Sequence, residues 1–156
     1  MDMSFKEKSA WISLLSTVSI FGYYFYNIFM LIGEPPEMAK EAAKDYLIHA
    51  VFLSIVVESV FHIVLAAINR QSKAIEGDER DKTYEYKANS LGYTVLAVGV
   101  VITLGGMITL EYNPTLAEHN RVMQIPLQTA HILMFSFILS EIVRFAGQIF
   151  YYRKGD

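Results

Sequence analysis

Four apolar stretches take up most of this chain: Ala10–Ile32, Tyr46–Ile68, Leu91–Leu110 and Leu127–Tyr151. Each is long enough to cross a hydrocarbon core of about 30 Å as a helix. The chain is therefore expected to be an all-α, polytopic membrane protein. Its 156 residues fit one domain, a bundle of four transmembrane helices. The second stretch carries Glu58 and His62, and the fourth carries Glu141 and Arg144. Ionisable groups at such depth are expensive, so they turn to a bundle interior and mark functional candidates.

Composition narrows the range of activities. The longest polar interval, Asn69–Lys87, is too short for an independent soluble domain. A net charge of −3 argues against nucleic acid as a partner, which calls for a basic face. The absence of cysteine removes disulfides, thiolate catalysis and thiolate-held metal or iron–sulfur sites. Lys6 and Lys8 ahead of an apolar run resemble the start of a signal peptide. The run continues past the length of such a segment, and no small-residue cleavage pattern closes it before Gly33. It reads as a retained first span.

Basic residues set the expected orientation. The N-terminus, the central loop and the C-terminal tail hold Lys6, Lys8, Arg70, Lys73, Arg80, Lys82, Lys87, Arg153 and Lys154. The other two connections hold Lys40, Lys44 and Arg121. The positive-inside rule then places both termini and the central loop in the cytoplasm, with the bundle in a cytoplasmic (inner) membrane. Tyr23, Tyr24 and Tyr26 at one end, and Tyr151 and Tyr152 at the other, suit interfacial anchoring.

Gly33-Glu34-Pro35-Pro36 stops the first helix, and Pro36 is suited to the first turn of the next. Asp78 is a candidate N-cap for a third helix starting at Glu79, with Asp81 favourably placed in its first turn. A helix from Glu79 to Leu110 extends about 48 Å, so it must project beyond the lipid. Gly92, Gly99 and Gly106 mark a small-residue seam for close packing, and Ser9, Ser13, Ser16 and Thr17 form a comparable one on the first span. A shift of 83 residues superposes Phe52 on Phe135, Ile55 on Ile138, Glu58 on Glu141, Val60 on Val143 and Arg70 on Arg153. That faint repeat suggests two tandem helical hairpins.

Asp78-Glu79-Arg80, followed by Lys87-Ala88 and a tyrosine-containing apolar helix, carries a resemblance over about Gly77–Val98. The segment resembles a family of small predicted prokaryotic membrane proteins of unknown function, whose feature is an Asp-Glu-Arg motif before a transmembrane helix. The resemblance implies a bacterial or archaeal membrane protein. It supplies no activity and no catalytic residues.

Glu58 and His62 are i,i+4 neighbours on a face shared with Ser54, and Glu141, Arg144 and Gln148 share a face of the fourth span. If these helices face each other, Glu58, His62, Glu141 and Arg144 form one buried cluster. It would serve as a relay for an ion or proton, or as a site for a small polar ligand. The alternative is a structural ion-pair network, Glu58 with His62 and Arg144 with Glu141, fastening helices together.

His49 and His131 fall at similar depth near the other end. Facing imidazoles could hold a haem b iron axially, or a transition metal with His119. His49 and Glu58 are about half a turn out of phase, so both cannot point into one core unless the protein forms a homo-oligomer. Isolated interfacial histidines are the plainer reading. Asp78, Asp81 and Glu85 could receive a hard cation, or act as caps and solvated charges pairing with Arg80 and Lys82. No phosphate loop, zinc-protease motif or nucleophile elbow is present, so nothing specific marks an enzyme. A third reading is an interaction protein, such as a toxin-immunity protein or assembly subunit, using the glycine seam of span three.

Overall fold

A computed structural model describes residues 3–68, 79–116 and 125–155. Among them are four long helices, each apolar and long enough to span a membrane, and no strand. They are α1 (Phe5–Met30), α2 (Pro36–Ile68), α3 (Glu79–Tyr112) and α4 (Gln128–Lys154).

The helix limits follow from local chemistry. Ser4 caps α1 by accepting the Glu7 backbone N–H on its hydroxyl, satisfying a donor that the first turn leaves free. After α1 the chain reverses through Gly33 at φ +97°, a region where a β-carbon is disfavoured. Pro36 then opens α2. Asp78, the expected cap of α3, lies outside the described residues, as do Arg70 and His119. Arg153 and Lys154 occupy the last turn of α4, complementing its dipole.

The packed pairs run in the order α3–α4–α1–α2, whereas α2 makes little contact with α3 or α4. Glycine sets the closest approach, between α3 and α4. A Cβ on Gly99 would lie 2.3 Å from Ser136 Cβ, and one on Gly92 would lie 3.1 Å from Arg144 Cβ. The Ser140 hydroxyl donates to the Gly92 carbonyl at 2.8 Å across this seam. Gly106 faces open space instead, so the seven-residue seam is used at two of its three glycines. Both hairpins of the expected tandem pair pack internally, but the α1–α4 contact has no comparable α2–α3 counterpart. That asymmetry leaves one side of α2 uncovered by the other described helices.

The main core gathers Phe21, Tyr24, Ile28, Ala43, Ala50 and Ile138, from α1, α2 and α4. A smaller one joins Ala10, Phe145 and Ile149. Phe52, Ile55, Val60, Ile63 and Ile68 of α2 are exposed, an apolar surface matched to lipid. The aromatic ends divide. Tyr23 and Tyr26 are exposed as interfacial anchors require, whereas Tyr24 and Tyr152 are buried and serve packing instead. Tyr151 stacks on Tyr84 of α3, their ring centres 6.0 Å apart.

Candidate functional site

Helical spacing makes two ion-pairing units. His62 Nε2 lies 3.2 Å from Glu58 Oε2 on α2, one turn apart. On α4 the Arg144 guanidinium grips Glu141 with two donors, Nε at 3.2 Å from Oε1 and one terminal nitrogen on Oε2. The planar fork matches both carboxylate oxygens, so this pair is held more rigidly than the first.

The Glu58 carboxylate is tied to a third helix. Ser13 Oγ donates to its Oε2 at 2.8 Å, and Ser16 Oγ donates to its Oε1. Residues three apart share one helical face, so α1 offers two hydroxyls to two oxygens. The serine seam of α1 is therefore a carboxylate cradle as well as a packing surface. Sequence spacing placed Ser13 and Ser16 on one face without revealing which polar group they met.

Glu58, His62, Glu141 and Arg144 all line one cavity of about 700 Å³. α1 adds Lys6, Ser9 and Ser13, and α3 adds Glu85 and Asn89. Lys6 bonds Glu85 at 2.5 Å, joining the starts of α1 and α3. Lys6, Glu85 and Asn89 were not expected at this site. Lys6 and Glu85 sit near helix ends, where a charge reads from sequence as solvated.

Polarity changes along the cavity in the same sense on each of three helices. On α1 the lining passes from Lys6 through Ser13 to Phe21, and on α2 from His62 through Glu58 to Val51. On α4 it passes from Gln148 through Glu141 to Met134. One end is thus ionic and the other apolar. Glu58 and Glu141 stand between them, their side chains 29% and 27% exposed.

The charges within this lining do not balance. Lys6 neutralises Glu85, and Arg144 neutralises Glu141. Glu58 is left with hydroxyl donors and an imidazole that is a cation only when protonated. Among the described residues it has no permanently charged partner. A carboxylate so placed favours any mobile cation that reaches it.

The other two described histidines have separate surroundings. His131 is buried on α4, and its Nδ1 bonds the hydroxyl of Tyr24, itself only 1% exposed. His49 is exposed on α2, with Nδ1 2.7 Å from the carbonyl of Asp45 one turn earlier. No group of three or more His, Asp or Glu among the described residues is arranged to hold a metal. Of the acidic series on α3, Asp78 lies outside the described residues, Glu85 bonds Lys6, and the Arg80 guanidinium lies over the Tyr84 ring.

The family described as Predicted membrane protein (DUF2178) matches residues 7–155. The likeness read from Asp78-Glu79-Arg80 therefore extends over all four helices. Neither a curated protein nor a solved structure matches the chain.

Proposed function

The chain belongs to the DUF2178 family of predicted membrane proteins, and from that premise we propose that its cavity is a cation site centred on Glu58. The proton is its simplest occupant. The supporting observation is the unbalanced carboxylate: two of the three glutamates lining the cavity have a fixed cationic partner, and Glu58 has none among the described residues. Ser13 and Ser16 hold both its oxygens in place. His62, half exposed beside it at 3.2 Å, is suited to exchange protons with the side of the membrane carrying the termini. Glu141 and Arg144 form the opposite wall, paired with each other through the planar guanidinium.

In this reading the protein binds or passes cations and performs no covalent chemistry. The bias of lysine and arginine toward the termini and the central loop supports an inner-membrane location with both termini in the cytoplasm.

The test uses the protein reconstituted in vesicles containing a pH-sensitive dye, with proton flux driven by a potassium diffusion potential. E58Q and E141Q should each lower flux at least tenfold while both variants still fold and reconstitute. Equal flux in parent and both variants would overturn the proposal.

A further inference from the structure

The cavity's shape and lining say more about its occupant than its charge alone. Resting on the assignment of Glu58 as a cation site, we infer that the cavity takes a monovalent organic cation with an apolar body, admitted sideways from the lipid between α2 and α4.

Three observations converge on this. First, a cavity of about 700 Å³ is far larger than a proton or bare metal ion needs, and falls within the range of about 300–1,000 Å³ typical of sites for small organic molecules. Second, beyond Glu58 its walls become apolar, through Phe21, Val51 and Met134. A strongly hydrated ion gains nothing from such walls, whereas an apolar body is desolvated there favourably. Aromatic faces add attraction for a diffuse positive charge.

Third, the cavity is also open to one side. α2 is packed against α1 and makes little contact with α4, yet both helices line the cavity. Ile55 of α2 and Phe137 of α4 line it while remaining 60% and 49% exposed. In a membrane those exposed surfaces meet acyl chains. The slot between them is therefore an apolar doorway, and a hydrophilic solute would have to cross lipid to use it. An organic cation with an apolar body partitions into lipid first and then finds inside a carboxylate with no fixed cationic partner among the described residues.

The experiment measures equilibrium binding of tetraphenylphosphonium to the full chain in lipid nanodiscs, with empty nanodiscs as the blank. Neutral triphenylphosphine oxide is the comparison probe. Saturable binding near one probe per chain is expected, at least tenfold tighter than for the neutral oxide and at least tenfold weaker in E58Q. Equal affinity for both probes, or unchanged affinity in E58Q, would overturn the inference by showing simple lipophilic uptake. Absence of saturable tetraphenylphosphonium binding alongside Glu58-dependent proton flux would also overturn it, while sparing the cation site itself. Loss of both would remove both. If E58Q does not fold, the ratio of the two probes on the parent protein decides the matter.

Discussion

The Ser13 hydroxyl of α1 donates a 2.8 Å hydrogen bond to the Glu58 carboxylate of α2, across 45 positions of sequence. With Ser16 bonding the other oxygen, it fixes the cavity carboxylate that no permanent cation neutralises among the described residues. The contact does two jobs at once. It joins the helix that packs least with the rest of the bundle to its neighbour, and it orients the proposed binding group.

Removing both hydroxyls should therefore weaken the fold and the site together. Ser13→Ala with Ser16→Ala is expected to destabilise the protein by about 1–3 kcal/mol, at about 0.6–1.7 kcal/mol for each interhelical hydrogen bond. Much of that loss should vanish when the same pair is introduced into E58Q, because serine bonds to a neutral amide lack the charge assistance of bonds to a carboxylate. Unfolding of all three variants in mixed micelles measures the coupling, and strict additivity would show that the serines act independently of Glu58.

The α3–α4 seam gives an internal contrast. Gly99→Ala would place a methyl 2.3 Å from Ser136 Cβ and should destabilise the protein by about 1–3 kcal/mol through overpacking. Gly106→Ala meets nothing within 4 Å and should stabilise it by about 0.5–1 kcal/mol through restricted backbone freedom. The same unfolding assay reads both, and equal effects would contradict the helix register.

Tyr24 and His131 bond each other in the buried core at the opposite end. Tyr24→Phe keeps the ring but strips His131 Nδ1 of its partner. The expected cost is about 1–3 kcal/mol for an unsatisfied buried polar group. Adding His131→Leu should recover part of that loss, because no polar ring is then left behind. A double variant as unstable as the two single changes summed would refute the pairing.

Orientation is testable because the chain has no cysteine of its own. Glu34→Cys and Gly155→Cys place single thiols at exposed positions at opposite ends of α1 and α4. In spheroplasts a membrane-impermeant maleimide should label position 34 and spare position 155 until the membrane is opened. The reverse pattern would invert the topology.

Much of the site was legible because it is local. Glu58 with His62 and Glu141 with Arg144 follow from positions one turn apart, and the structure pairs each of them in that way. The cradle was not legible, since two serines on α1 could have faced lipid, another helix or a carboxylate. Tyr24 shows the same limit. Flanked by Tyr23 and Tyr26 it reads as part of an interfacial belt, but helical rotation of about 100° per residue turns it inward to His131.

Sequence alone determined the four spanning helices, because apolar length and the cost of unsatisfied backbone in lipid leave few other outcomes. It also determined which ionisable groups fall inside those apolar stretches and which are neighbours along their own helix. Only the tertiary structure decided that α2 leans mainly on α1, that Lys6 and Glu85 reach the cavity, and that Glu58 has no fixed counter-charge among the described residues. Those outcomes depend on helix rotation and side-chain fit between segments far apart in the chain, and hydrophobicity, which acts without direction, does not encode them.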